Sequence, residues 1–265
     1  MANSLERPET AQSDALIADY YADPERRLSF VRDLFNRTAQ HYDPVNRLFS
    51  LGSGAWYRRT CLRWAGLQSG HHVVDVAVGT GLVAREAVRI TGDRRLVIGI
   101  DISEAMLTIA HKNLGIPLVQ GTAEALPLAS AVADFVTMGY ALRHIADLEK
   151  AFREASRVLR VDGTIVLLEI SAPRKKFNRA VASAYIGGLL PLLSLLTICD
   201  RRASTLMRYH WETIVNYVSP ETVMRAMRVS GFHNVDCWTE FDLFRCYIGH
   251  KAPNKRNAPK PFGRQ

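Results

Sequence analysis

The sequence predicts an α/β fold: a doubly wound, mostly parallel sheet of seven strands, preceded by N-terminal helices and carrying a helical insertion before the last two strands. Three observations predict it. Short apolar bursts such as His72–Val78 and Arg95–Ile102 alternate with helical segments, the pattern of strands covered on both faces. The first burst ends in the glycines Gly79 and Gly81, and the second ends in an acid, Asp101, 20 residues later. The last two runs, His233–Phe241 and Leu243–His250, alternate like the arms of a hairpin.

Residues 1–24 read as a flexible arm. They carry Glu6, Glu9, Asp14 and Asp19 and no basic segment ahead of an apolar core, so a signal peptide is not expected. Residues 25–66 read as helices, with Leu28, Val31, Leu34 and Phe35 at helical intervals and a turn at Asp43-Pro44. Strand, helix and strand follow over residues 72–103. Next come a helix over 103–114, strands over 116–120 and 133–140, a helix over 147–160 and a strand over 163–171. A helix over 203–217 and another from Pro220 to Ser230 precede the hairpin. One domain is therefore expected over 25–250, with 180–217 as a helical insertion or lid. The tail, 251–265, has five Lys/Arg, three prolines and no acid, and is expected to be disordered.

Composition supports a globular chain and narrows its class. The 265 residues are 48% hydrophobic and 23% charged, which excludes a collagen-like or low-complexity polymer. The net charge of +8 favours anionic partners without choosing among nucleic acid, anionic lipid and acidic small molecules. Cys61, Cys199, Cys237 and Cys246 form no pair or cluster with metal-ligand spacing, so no metal is expected and the thiols read as reduced and cytoplasmic. Ala180–Cys199 is uncharged and about 20 residues long, close to a bilayer's thickness. It contains Gly187, Gly188 and Pro191, and the strands before and after it need each other in one sheet. It is therefore expected to dock or be buried rather than to span.

The strongest local signal is Asp75-Val-Ala-Val-Gly79-Thr80-Gly81, where a buried strand gives way to a helix. Glycines there let a ligand approach the backbone, and the helix start offers unpaired amides. Asp101 stands where a doubly wound fold places a carboxylate for ribose hydroxyls, and Ser103 is the better cap for the following helix. Ala84 completes a permitted spelling of the dinucleotide loop, so the pattern alone leaves NAD and S-adenosylmethionine open.

DVAVGTG, GIDISEAML, AEALPL, ADFVTMGYALRH, RVLRVDG and LLEISAP, in this order, resemble a class I S-adenosylmethionine methyltransferase. More narrowly they resemble the ubiquinone/menaquinone biosynthesis C-methyltransferase family. The segment Phe35–Arg59, with Tyr42, Asp43, Asn46, Ser50, Gly52 and Trp56-Tyr57-Arg58, resembles that family's entry signature. The resemblance runs from about residue 30 to 250. It implies that S-adenosylmethionine is the cofactor, that Thr80 meets its amino-acid part, Asp101 its ribose, and Thr122-Ala123 its adenine. Ile102 and Met106 are added as apolar walls of the adenine slot, and Asp75, Gly79 and Gly81 as the loop that holds it. Thr122 stands where the family has an acid or amide.

Methyl transfer needs an aligned nucleophile, exclusion of water and removal of a proton from the acceptor. Tyr140, Arg143 and His144 follow the fourth strand at the site end of the sheet. Arg143 is the expected fixed charge beside an ionised ring hydroxyl, and His144, where the family has Asn, can titrate near neutral pH. Tyr42 and Asp43 are expected to close the site, and Glu169 to lie nearby. Met207, His210, Phe241 and Leu243 depart from the family in its substrate-covering part.

The acceptor is therefore expected to be a polyprenylated quinol or another hydrophobic metabolite, such as a phospholipid amine, an isoprenoid or a phenol. Nucleic acid is not expected, since the arginines are scattered and no basic run interleaves aromatics. A non-catalytic accessory protein is the remaining alternative. Arg174, Lys175, Lys176 and Arg179 precede the uncharged stretch and Arg201 and Arg202 follow it, so peripheral contact with an anionic inner membrane face is expected as an alternative to a buried lid.

Overall fold

The computed structural model describes residues 24–50, 52–190, 209, 213–214 and 218–252. Seven strands form one sheet: β1 (Val73–Val76), β2 (Val97–Asp101), β3 (Leu118–Gln120), β4 (Ala133–Gly139), β5 (Leu159–Ile170), β6 (Phe232–Glu240) and β7 (Phe244–Lys251). Their spatial order is β3-β2-β1-β4-β5-β7-β6. The first five are parallel, β7 runs antiparallel to β5, and β6 pairs antiparallel with β7. The expected fold class and closing hairpin are both present.

Helices cover both faces because the strands are apolar on both. Val73, Val97, Phe135, Val166 and Leu168 pack with α2 (Gly54–Trp64) and α3 (Leu82–Thr91). Val74, Ile100, Val136, Ile165 and Tyr247 pack on the other face with α5 (Leu148–Val158) and α7 (Pro220–Val229). Between β2 and β3 lies α4 (Glu104–Leu114), capped by Ser103, whose hydroxyl accepts the Met106 amide at 3.2 Å.

The expected turn at Asp43-Pro44 is corrected. One helix, α1, runs from Pro24 to Ser50 with Pro44 inside it. Proline removes one helical hydrogen bond, normally a breaking change, but Pro44 and Gln40, whose carbonyl loses its donor, are both exposed to water. Tertiary anchoring holds the helix: Asn36 Oδ1 accepts the Ser103 hydroxyl at 2.7 Å, and the Arg27 guanidinium donates to the Arg143 carbonyl at 2.6 Å.

Two boundaries also move. The insertion begins earlier than 180, as α6 (Lys176–Ala182) followed by a π-helical turn over Ser183–Leu189. Lys251, expected in the tail, ends β7 and donates to the Leu159 carbonyl at 2.6 Å. Pro191, Cys199, Arg201, Arg202, Met207, His210, most of the helix expected over 203–217, the arm before Pro24 and the tail beyond Ala252 lie outside the described residues. Among the described residues, no helix is long and apolar enough to cross a membrane, Cys61, Cys237 and Cys246 are free thiols, and no group of three potential metal ligands occurs.

Candidate active site

The sheet changes direction at β1, whose neighbours β2 and β4 lead to opposite edges, so a crevice opens beyond the C-terminal ends of these strands. The backbone there is forced into rare conformations. Ala77 (φ 54°) and Tyr140 (φ 61°), which follow β1 and β4, sit in the left-handed region. For a side chain as bulky as tyrosine this is a stored strain, of the kind that persists where neighbours overdetermine it. The Tyr140 amide is fixed by the Leu168 carbonyl at 2.6 Å.

A half-open cleft, about 720 Å³ including the solvent at its mouth, occupies the crevice. Tyr42, Gly79, Asp101, Ile102, Met106, Thr122, Ala123, Tyr140 and His144 line it, so nine of the fourteen residues singled out from the sequence meet in one place. Leu28, Val31 and Phe35 of α1 roof it, and Gly121, Glu124 and Ile145 complete its wall. Periodicity marked the α1 residues as an apolar face but carried no information about what that face covers.

Asp101 organises the cleft. Its Oδ2 accepts the Gly79 amide and its Oδ1 the Ser103 amide, both at 2.8 Å, tying the glycine loop to the start of α4. Burial pushes its carboxyl above the ordinary range, and these amide donors pull it back. A Cβ placed on Gly79 would meet nothing within 4 Å, so the loop backbone is open to a ligand. At Gly81, by contrast, a Cβ would come within 2.5 Å of Leu114, so this glycine serves helix packing.

Thr80 lines an adjoining recess with Tyr42, Gly79, Arg58 and Tyr140. Its hydroxyl donates to Asp43 Oδ1 at 2.5 Å, so Asp43 reaches the site through Thr80. Asp75 lies beneath the loop, 1% exposed, and accepts the Thr137 hydroxyl at 2.7 Å. Burial raises its carboxyl to about 7, against the opposing pull of the Thr137 hydroxyl and the Ala84 amide.

Arg143 departs from expectation. Its Nη1 lies 2.5 Å from Glu169 Oε1, with the two side chains 3% and 0% exposed, and it does not line the cleft. The pair joins the turn after β4 to the end of β5 at the site end of the sheet. His144 faces the cleft, where Nδ1 lies 2.8 Å from the Tyr209 hydroxyl and Phe35 meets the ring edge-on at 5.2 Å.

A second cavity, about 960 Å³, lies on the far side of Tyr140. Asn46, Trp56, Tyr57 and Arg58 line it from the α1–α2 region, and Ile170, Phe241 and Phe244 from β5 and the hairpin. Phe241 and Asp242 form the tight hairpin turn with φ of 53° and 58°, which leaves the Phe241 ring 83% exposed at the cavity mouth. Leu243 packs instead toward Val45, Ala182, Ile186 and Leu190.

The cleft suits a nucleoside with an amino-acid end. The Asp101 carboxylate, Ile102 and Met106 line the cleft, and Gly79 and Thr80 line the adjoining recess, a set that could take ribose hydroxyls, an adenine and an amino-acid end. Comparison with known proteins agrees with this geometry. A model of the ubiE/COQ5 methyltransferase family matches residues 22–242. The chain is 32% identical over 223 residues to the demethylmenaquinone methyltransferase of Symbiobacterium thermophilum, covering 80% of this chain and 88% of that protein. It is 33% identical over 219 residues to the ubiquinone/menaquinone biosynthesis C-methyltransferase of Klebsiella pneumoniae, covering 80% and 86%. Among solved structures, the S-adenosylmethionine-dependent methyltransferase of Thermotoga maritima described as a possible histamine N-methyltransferase superposes with a TM-score of 0.57 at 21% identity, over 83% of this chain and 99% of that one.

Proposed function

Since the chain belongs to the ubiE/COQ5 methyltransferase family, we propose that this S-adenosylmethionine-dependent methyltransferase methylates a ring carbon of a hydrophobic quinol-type acceptor in quinone biosynthesis. The observation that carries the reading is the pairing of two spaces that share Tyr140: a cleft lined by Asp101, Ile102, Met106, Thr122 and Ala123, and an aromatic-lined cavity beside it. The relatives named for menaquinone and ubiquinone biosynthesis support the choice of acceptor.

S-adenosylmethionine, when bound, supplies an electrophilic methyl group on a sulfonium centre. The residues of the chain do the rest. Asp101 holds the ribose hydroxyls, Thr122 and Ala123 border the adenine, and the Gly79 and Thr80 backbone meets the amino-acid end. The α1 roof of Leu28, Val31 and Phe35 excludes water, which keeps hydrolysis from competing and strengthens electrostatic effects within the site. Methylation at a ring carbon would release the proton that this carbon carries. His144, hydrogen-bonded to Tyr209, is the candidate to receive that proton.

A greasy acceptor must be collected from lipid, and the exposed end of the insertion supports a surface contact. Phe177, Val181 and Leu189 are 77%, 53% and 46% exposed beside the exposed cations Arg174, Lys175, Lys176 and Arg179. We place the protein in the cytoplasm, docked at the inner membrane face.

Purified protein incubated with methyl-labelled cofactor and a lipid extract containing demethylated quinols tests the reading. Label is expected in the quinol fraction. Label confined to another lipid class moves the acceptor to that class, and no label in any lipid fraction overturns the hydrophobic acceptor.

A further inference from the structure

Arg58 is a buried guanidinium with no ion-pair partner among the described residues. It is 4% exposed, yet no carboxylate lies within ion-pair distance of it among the described residues, in contrast to Arg143 with Glu169. One nitrogen donates to the neutral Asn46 Oδ1 at 2.8 Å, and Nε has no acceptor among the described residues. The guanidinium carbon lies 5.4 Å from the centre of the Tyr140 ring. Gly54 packs closely against it, since a Cβ there would come within 2.9 Å of Nη1, so the side chain has little room to swing away.

A buried cation whose direct contacts are an amide and an aromatic face, with the Asp75 carboxyl and the Tyr42 and Tyr140 hydroxyls acting on it only through space, is an unfavourable arrangement in the ligand-free protein. It becomes favourable when a ligand brings the missing negative charge. The position of Arg58 says where that ligand sits: it lines the recess of the glycine loop with Gly79 and Thr80, and also the second cavity with Trp56, Phe241 and Phe244. Tyr140 is common to both.

We infer that Arg58 is the anion receptor of the site, binding a ligand oxyanion where the glycine-loop recess meets the second cavity. The inference rests on the methyltransferase reading. Two ligands of that reaction carry the required chemistry: the cofactor through its amino-acid carboxylate, and the acceptor through an ionised ring hydroxyl. In either case Arg58 contacts the ligand directly, and Tyr140 aligns the guanidinium plane by its ring.

The test uses the full chain as wild type, Arg58→Gln and Arg58→Lys. Ligand-free melting is measured first, and R58Q is expected to melt at or above wild type because an uncompensated charge has gone. S-adenosylhomocysteine and methylthioadenosine, which lacks the amino-acid end, are then titrated calorimetrically, and methyl transfer to a demethylated quinol is followed against pH. If the ligand group is the cofactor carboxylate, R58Q weakens S-adenosylhomocysteine by about tenfold to a hundredfold and leaves methylthioadenosine unchanged. If it is the acceptor oxyanion, both nucleosides bind normally, kcat/KM falls by a similar factor, and the acid limb of the pH profile moves to higher pH. R58K, which keeps the charge on a different frame, retains part of either effect. R58Q melting well below wild type overturns the assignment in favour of a structural role, as does R58Q with unchanged affinities and unchanged kcat/KM. Wild type that binds neither nucleoside overturns the methyltransferase reading itself.

Discussion

Arg143, in the short helical turn Leu142–His144 that follows β4, and Glu169, near the end of β5, form an ion pair at 2.5 Å with both side chains out of reach of water. Burial pushes the Glu169 carboxyl up and the Arg143 charge pulls it down. Removing one partner strands the other, so Arg143→Met and Glu169→Leu are each expected to cost about 3–5 kcal/mol, and the double variant less than either single one. Urea denaturation of the four proteins measures this. Equal and additive losses would show that the two groups do not depend on each other.

Asp101 accepts two backbone amides at once, from opposite sides of the site. Asp101→Asn keeps the shape but leaves one oxygen to serve both amides, and adds an NH₂ that faces a donor. S-adenosylhomocysteine is expected to bind about a hundredfold more weakly to D101N, through lost ribose contacts and a loosened loop. Titration calorimetry reads the change, and affinity within threefold of wild type would remove Asp101 from the cofactor site.

Asp75 makes stability depend on pH. Its carboxyl is raised by burial to about 7, from an ordinary value near 3.8, so the folded state prefers the protonated form. The contribution is fully present below the unfolded value and is lost as pH rises through 7. Between pH 5 and pH 8 wild type is expected to lose roughly 3 kcal/mol relative to Asp75→Asn, which cannot ionise and still accepts the Thr137 hydroxyl. Parallel denaturation curves for the two proteins at the two pH values check the sign and the size.

The Asp43–Thr80 hydrogen bond, at 2.5 Å, fastens α1 to the glycine loop. Asp43→Ala is expected to weaken nucleoside binding by about tenfold, in keeping with one charge-assisted hydrogen bond, and to speed amide exchange along α1. Hydrogen exchange by mass spectrometry separates the effects. Faster exchange throughout the sheet instead would mean global destabilisation.

The parallel sheet was legible because Val73–Val78, Val97–Ile102 and Ala133–Met138 are apolar on both faces, which only a doubly covered sheet accommodates. Strand ends then imply the crevice, where Gly79 and Asp101 meet as their spacing foretells, together with Ile102, Met106, Thr122 and Ala123, which the family resemblance brought in around the adenine. Partner choice was not legible. Glu169 is 26 residues from Arg143, and their pairing follows from β4 lying beside β5, a tertiary fact. Pro44 pointed to a turn, and contacts made by Asn36 and Asp43 with distant segments overrode that local preference. The missing ion-pair partner of Arg58 among the described residues is likewise a property of its surroundings, which no motif spells.

The antiparallel hairpin gives the two halves of the site different birthdays. Among the described residues, the cleft proposed for the cofactor is lined by residues 28–145, whereas the second cavity takes Glu240, Phe241 and Phe244 from the β6–β7 hairpin. During translation the described lining of the proposed cofactor cleft is therefore made almost a hundred residues before the hairpin wall of the cavity proposed for the acceptor. The same separation lets substitutions in one late, surface-facing turn retune the choice of acceptor while the cofactor grip is inherited unchanged.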